Sequence, residues 1–409
     1  MNITIQPTLL SGGIMPPSSK SQGHRAVIAA ALAGGESTLH RLAGSQDIDA
    51  TIACVSAMGA EVERAREDTL RVRGLGGHVS QKKSDLPPFD CGESGSTLRF
   101  LIPVALAVTG GGIFTGRGRL MDRPQQPYFD LFGEKDIFYE QKDGVLTVKG
   151  VLKPGAYRLP GNVSSQFVTG LLYALPLLEG DSEIVLTTPL ESEGYVDMTL
   201  ETLEQFGIRA QRQENRFFIP GGQHYQSRDM KIEADWSQAA FWYAANALGC
   251  RVDIQGMNDA SKQGDRVVEQ YCTKLAVSGD VELDVSQCPD LVPALAAMAA
   301  VRQGTTHITN AARLRIKESD RLAAVTRALN GLGADVTELA DGLVVVGRNG
   351  LAGGVEVDSC NDHRIAMMAA VAAVRCERPV TVLDAQCVAK SYPGFWEDYE
   401  KLGGKIARR

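Results

Sequence analysis

The sequence predicts an α/β fold of two similar halves, each made of three copies of a β-α-β-α-β-β unit or a permutation of it. Two phrases repeated in step along the chain carry this expectation. The composition supports it, with 44% hydrophobic and 22% charged residues, as in soluble globular domains.

The first phrase is a helical segment, a glycine step and a strand. It reads CVSAMGAEV at 54–62, LFGEKDIFY at 131–139, LEQFGIRA at 203–210, KLAVSGDVEL at 274–283, LNGLGADV at 329–336 and KLGGKI at 401–406. Four copies continue through a polar turn into a second short strand, as in EVERAREDTLRVRG, IFYEQKDGVLTVKG and DVTELADGLVVVGRNG. Alternation about a Gly or Asp turn is the signature of a hairpin. The second phrase, an Ala/Leu-rich helix followed by a turn and a β-branched strand, precedes each copy of the first. Its copies are ALAGGESTL, AVTGGGIFT, LLEGDSEIVL, ALGCRVDIQ, VRQGTTHIT and VRCERPVTV. Six copies in constant order over 409 residues give about 68 residues per unit, the mark of an internal repeat.

The units group as three and three. The polar stretch GGQHYQSRDMKIEAD at 221–235 separates the sets. This gives a first domain of 15–232 and a second of 1–14 plus 233–409, with hinge crossings near 15 and 233. The N-terminal strand ITIQP is left to pair within the second set.

Bulk properties narrow the function. The longest apolar runs, such as LVPALAAMAAV at 291–301, fall short of a membrane span. The start MNITIQPTLL lacks the basic-then-apolar layout of a secretory signal. Eight cysteines lie scattered with no C-x-x-C pair, which reads as reduced thiols in the cytoplasm. A net charge of −7 argues against a nucleic-acid partner.

The starts of the first helix in each unit are more informative. They read SSKSQGHRA, GESGSTLRF, NVSSQFVTG, ADWSQAAFW, CPDLVPAL and NDHRIAMM, each with a Ser, Asp or Asn ahead of an apolar helix. That is the N-cap pattern, and a helix N-terminus also attracts anions. A cap does not call for Lys20, Arg25, Arg99, His363 or Arg364 in the first turn, where a cation opposes the helix dipole. Cations in that position suggest an anionic ligand between them. The stretch GGIMPPSSKS half-resembles a phosphate-binding loop, but it lacks the second glycine, and Pro16 and Pro17 offer no N–H. The loops add Arg117, Arg119, Arg123, Arg313, Arg315, Lys317, Arg321 and Lys390. If the halves face each other, these would make a basic cleft that focuses anionic substrates. Two carboxylates stand among them. Asp290 reads as a cap inside CPDLVP, and Glu318, between Lys317 and Arg321, reads first as functional, although ESDRL could alternatively open a helix as a capping turn.

The segments SSKSQGHRA, ESGSTLR, MDRP, VSSQF, RIKESDR, NDHRIAM and AKSYP occur in this order between residues 18 and 393. They resemble the 3-phosphoshikimate 1-carboxyvinyltransferase (enolpyruvylshikimate-phosphate synthase) family. The resemblance implies two domains with helices inside and sheets outside, an inside-out α/β barrel, and an active site in the interdomain cleft. It implies transfer of the enolpyruvyl group of phosphoenolpyruvate to the 5-hydroxyl of shikimate 3-phosphate, releasing phosphate, with no metal or organic cofactor. Addition followed by elimination through a tetrahedral ketal needs a base, an acid and several cations. By resemblance Asp290 takes the hydroxyl proton and Glu318 donates a proton, with Lys20 assisting. Shikimate 3-phosphate falls to Lys20, Ser21, Arg25, Ser164, Ser165, Gln166, Ser192, Asp290 and Lys317. Phosphoenolpyruvate falls to Lys20, Gly95, Arg123, Gln166, Arg321, Arg364 and Lys390. Arginine suits such a site because its planar fork grips carboxylate and phosphate at two points.

Glu93, Phe100 and Arg313 depart from the residues common in the family. The sister transferase acting on UDP-N-acetylglucosamine is set aside because the loop GRGRLMDRPQQP at 116–127 has no cysteine. Gly95 leaves room that a methyl would fill, so glyphosate, which resembles phosphoenolpyruvate, is expected to inhibit. A monomer with small-molecule substrates and no membrane or nucleic-acid partner is expected.

Overall fold

The structure is a computed structural model that describes residues 1–76 and 85–409. The chain opens with two short strands, β1 (Ile3–Gln6) and β2 (Ser11–Ile14). It then forms one compact unit from Ser18–Glu233, while Met1–Pro17 and Ala234–Arg409 make up the other.

The Ser18–Glu233 unit holds the helices α1 (Lys20–Leu32), α2 (Gln46–Met58), α3 (Gly95–Thr109), α4 (Gln126–Glu134), α5 (Ser165–Ala174) and α6 (Glu193–Gln205). Its strands are β3 (Glu36–His40), β4 (Glu61–Arg66), β5 (Thr69–Arg73), β6 (Pro88–Asp90), β7 (Gly111–Thr115), β8 (Phe138–Lys142), β9 (Val145–Lys149), β10 (Gly155–Leu159), β11 (Ser182–Leu186), β12 (Gln211–Gln213), β13 (Arg216–Ile219) and β14 (Asp229–Lys231). They form three sheets of one design, β14-β3-β5-β4, β6-β7-β9-β8 and β10-β11-β13-β12. In each, the first two strands are parallel and the last three antiparallel. The unit closes on itself because β14, its last strand, pairs with β3 at Asp229–Lys231 against Thr38–His40. Local chemistry sets the hairpins. Between β8 and β9, Asp143 and Gly144 have φ of 52° and 76°, the left-handed pair that a two-residue turn between twisted strands requires.

The second unit adds α7 (Trp236–Ala247), α8 (Val268–Leu275), α9 (Val292–Ala299), α10 (Arg321–Gly331), α11 (His363–Ala372) and α12 (Phe395–Lys401). Its strands are β15 (Arg251–Ile254), β16 (Val281–Asp284), β17 (Thr305–Thr309), β18 (Asp335–Leu339), β19 (Gly342–Val346), β20 (Leu351–Gly353), β21 (Glu356–Asp358), β22 (Cys376–Arg378), β23 (Val380–Leu383) and β24 (Lys405–Arg408). Two four-stranded sheets repeat the design, β16-β17-β19-β18 and β21-β23-β1-β24. In the latter, β1 fills the place that the hairpin return strand takes elsewhere, between β23 and β24. The fourth repeat is shorter than the others: among the described residues β15 pairs only with β2, and the chain leaves α8 directly for β16 of the next sheet.

Helices form the core of each unit. Every residue of α3 except Ser96 is buried, as are all residues of α9 and α11, and a helix apolar all round belongs in an interior. In the second unit α7, α9 and α11 pack on one another. The strands keep one face exposed, as in the alternating burial of β13 and β10. Three of the repeats share one further detail. Arg41, Asn310 and Asp384 each follow the second strand of a sheet with φ of 54°, 60° and 51°, so equivalent kinks redirect the chain toward the next helix. Among the described residues no helix is long and apolar enough to cross a membrane.

Candidate active site

In the Ser18–Glu233 unit the predicted residues gather at the starts of four helices. Ser19 caps α1, its hydroxyl accepting from Gln22 N at 3.3 Å. Lys20 opens the helix and its Nζ pairs with Asp47 Oδ2 at 2.7 Å, in the first turn of α2. Ser21 follows, and Arg25 lies one turn further on. The Arg25 guanidinium donates to Ser21 O and Tyr195 O, both at 2.7 Å, and to Thr199 Oγ1 at 2.9 Å. It also lies over the Phe100 ring, 5.2 Å from the centroid. Burial pulls Arg25 down to about 10, which still leaves it charged at neutral pH. These contacts tie α1 to the first turn of α6, where Ser192 stands just ahead of the helix with φ 56° and is buried. A non-glycine residue in this conformation stores strain of a kind that clusters at functional sites.

Gly95 begins α3, and a Cβ built on it would lie 2.6 Å from Arg123 Nη1. Absence of a side chain therefore lets the Arg123 guanidinium lie against the helix start. Arg99, buried one turn on, stitches the neighbourhood together. It donates to Gln166 Oε1 at 2.8 Å and to Pro124 O at 3.0 Å, and stacks over Phe167 at 4.8 Å. Gln166 in turn donates to Ser96 Oγ at 3.0 Å. Ser164 caps α5 by accepting from Gln166 N at 3.3 Å, and Ser165 is the first helical residue.

In the other unit the predicted residues converge on one carboxylate. Asp290 accepts from Arg321 Nη1 at 2.8 Å and Arg364 Nη2 at 3.1 Å, with Lys317 Nζ 3.4 Å away. Arg321 is almost fully buried and also binds Glu318 at 2.7 Å and Asp362 at 2.8 Å. Burial opposes its charge, but Asp362, Glu318 and Asp290 outweigh that and raise its pKa above the ordinary value. Lys390 reaches this neighbourhood through Asn361, whose carbonyl accepts from Nζ at 2.6 Å. Cys360 and Asn361, with φ of 54° and 52°, make a strained left-handed pair directly before Asp362, the cap of α11.

One expectation changes. Asp290 is not a cap, for it lies in the 3₁₀ turn Pro289–Leu291 and its carboxylate goes to cations. The segment ESDRL does open α10, through Asp320, which accepts from Ala323 N at 3.2 Å, while Glu318 stays outside the cap and binds Arg321. Several basic loop residues also serve elsewhere. Arg117 pairs with Asp90 at the surface, Arg315 with Asp320 and Glu338, and Arg119 is exposed. The residues that sequence reasoning missed as site members are Asp47, Asn361 and Asp362; Arg99 was noted as a first-turn cation, and here it holds Gln166. Asp362 carried a signal, because an aspartate before a cationic first turn has both a helix and a cation to serve.

The family model for EPSP synthase (3-phosphoshikimate 1-carboxyvinyltransferase) matches residues 5–399. The chain belongs to the EPSP synthase family. It is 47% identical to the 3-phosphoshikimate 1-carboxyvinyltransferase of Clostridium acetobutylicum, over 99% of this chain and 98% of that one. Identity to the corresponding protein of Clostridium kluyveri is 46%, with the same coverage. The EPSP synthase structure from Acinetobacter baumannii matches with a TM-score of 0.82 at 24% identity, over the full length of both chains. Members of the EPSP synthase family at that distance thus share this fold.

Proposed function

We propose that the chain transfers the enolpyruvyl group of phosphoenolpyruvate to the 5-hydroxyl of shikimate 3-phosphate, releasing phosphate, in aromatic amino-acid biosynthesis. Family membership supports the reaction. The observation that carries the assignment of residues is Asp290 set among Lys317, Arg321 and Arg364, with Glu318 on the same arginine.

Each residue type has a task. Asp290 accepts the proton of the attacking hydroxyl, the C–O bond forms at C2 of phosphoenolpyruvate, and Glu318 delivers a proton to the methylene carbon. Elimination returns a methyl proton to Glu318 and expels phosphate, which carries away the proton held by Asp290, leaving the enol ether. Arg123, Arg321, Arg364, Lys390 and Lys20 offset the charge of the phosphate and carboxylate of phosphoenolpyruvate, with Gln166 and the α3 start at Gly95. Ser21, Arg25, Ser164, Ser165, Ser192 and Lys317 receive shikimate 3-phosphate. The eight unbridged thiols suit a reducing cytoplasm.

The test is phosphate release from phosphoenolpyruvate with shikimate 3-phosphate or UDP-N-acetylglucosamine as acceptor, for wild type and Glu318→Gln. Release with shikimate 3-phosphate alone, lost by a factor of about 100 or more in the variant, supports both the reaction and the role of Glu318. Release only with the sugar nucleotide refutes the acceptor, and undiminished release by Glu318→Gln refutes the acid.

A further inference from the structure

The core of the Ser18–Glu233 unit contains a chain of polar side chains that the assigned chemistry does not use. His24 Nδ1 lies 2.7 Å from Thr51 Oγ1, Thr51 Oγ1 lies 2.7 Å from Thr97 Oγ1, and Thr97 Oγ1 donates to Ser94 Oγ at 2.7 Å. All four residues are buried, none more than 1% exposed. The relay joins α1, α2 and α3 just behind their first turns, which carry Lys20, its partner Asp47, and Gly95.

Proton counting gives the relay a direction. Each hydroxyl has one proton. Thr97 spends its proton on Ser94, so Thr51 donates to Thr97, and His24 Nδ1 donates to Thr51. The backbone carbonyl of Asp47 is a longer alternative for both threonines, at 3.3 and 3.5 Å, and the shorter contacts prevail. His24 is then neutral with its proton on Nδ1, consistent with burial and with the nearby Lys20 and Arg25 charges, all of which disfavour a protonated ring. Its Nε2 is buried without a hydrogen-bond partner among the described residues.

Such a chain is a poor way to gain stability. Apolar groups of the same shape would fill the space at nearly equal stability, and an unpaired buried nitrogen carries a cost. Position is what the relay supplies. Ser94 accepts from both Thr97 Oγ1 and Thr97 N, the latter at 3.2 Å, so its rotamer is held. Ser94 caps α3 directly before Gly95 and Ser96, the latter bound to Gln166.

We propose that His24, Thr51 and Thr97 are positioning residues for phosphoenolpyruvate: the relay, directed from His24 Nδ1–H to Ser94, holds the Gly95–Ser96 turn in the geometry that receives that substrate. This rests on the assignment of Gly95, Arg123 and Gln166 to phosphoenolpyruvate.

The experiment compares wild type, Thr51→Val, Thr97→Val and Thr51→Ser by steady-state kinetics in both substrates and by thermal unfolding. The valine variants should raise the KM for phosphoenolpyruvate by about 2- to 10-fold, with the KM for shikimate 3-phosphate nearly unchanged and Tm within a few degrees. Thr51→Ser, which keeps the hydroxyl, should restore the wild-type value. An unchanged KM for phosphoenolpyruvate in a folded valine variant, or equal rises for both substrates, would overturn the proposal. Nitrogen-15 spectra of the His24 ring in wild type provide a check that needs no variant: the proton belongs on Nδ1, and finding it on Nε2 also overturns the proposal. Failure of wild type to turn over phosphoenolpyruvate with shikimate 3-phosphate would instead sink the functional assignment, whatever the tautomer.

Discussion

Asp290 Oδ1 accepts a hydrogen bond from Arg321 Nη1 at 2.8 Å, and the same guanidinium binds Asp362 from its Nε at 2.8 Å. One buried cation thus orients the proposed base while a fully buried aspartate holds the cation. Replacing Asp362 removes a partner of Arg321 and the cap of α11 at once. Asp362→Ala should cost about 1–3 kcal/mol, because the buried Nε of Arg321 and the start of α11 lose their acceptor while Asp290 and Glu318 still offset the charge. Urea unfolding would measure it. Asp290→Asn keeps the shape at a less buried position, so its defect should fall on kcat, by about 100-fold or more, with a much smaller loss of stability.

Gly95→Ala places a methyl where Arg123 Nη1 stands, at 2.6 Å. A guanidinium is the mobile end of a long side chain, so the protein should fold while Arg123 moves off the α3 start. A displaced charge-assisted contact should raise the KM for phosphoenolpyruvate by about one order of magnitude. Glyphosate should inhibit wild type and lose potency against the variant. Equal potency against both would show that the methyl does not reach the anion site.

Gly170 lies where α5 passes close to α3. A Cβ there would meet Tyr128 Oη at 2.3 Å and the backbone oxygen of Arg99 at 2.5 Å. Alanine gains roughly 0.5–1 kcal/mol of helix preference over glycine, but overpacking against backbone costs about 1–3 kcal/mol. The clash should win, and Gly170→Ala should lower Tm. An unchanged or higher Tm would mean that the helices separate at little cost.

His24 gives acid sensitivity a sign. Its folded-state pKa lies well below the ordinary value of 6.5, so the unfolded chain binds more protons in that interval and stability rises with pH across it. The contribution of the neutral ring is complete above 6.5 and is lost as pH falls from there toward the depressed folded value. The slope from this group is at most about 1.4 kcal/mol per pH unit. His24→Gln should therefore show a shallower fall in stability below 6.5 than wild type in a pH series of denaturation curves. Parallel curves would place the acid sensitivity elsewhere.

Much of the local architecture was legible in the sequence. The helix starts carry their own caps, as at Ser19, Ser94, Ser164, Asp235 and Asp362, and the Asp143-Gly144 turn announces its hairpin. These signals are local, because a cap or a turn is set by the chemistry of three or four consecutive residues. The six-fold phrase likewise reports which faces are apolar, which is enough to predict the repeated α/β unit.

Pairings over long separations were decided only in the tertiary structure. Lys20 meets Asp47, Arg321 meets Asp362, and β1 takes its place between β23 and β24. The sequence placed Glu318 between Lys317 and Arg321 and read Asp290 as a cap, because a carboxylate before a helix looks the same in both roles. What separates the roles is distance to a guanidinium, which sequence spacing does not encode. The same holds for Arg117 and Arg315: their charge was visible, but the neighbouring acids that engage them became partners only when the strands and turns folded together. The sequence by itself therefore determined the elements and their repetition, and its helix-start cations pointed to anionic ligands. The folded chain decided which charges face one another, because charge interactions depend on separation in space rather than along the chain.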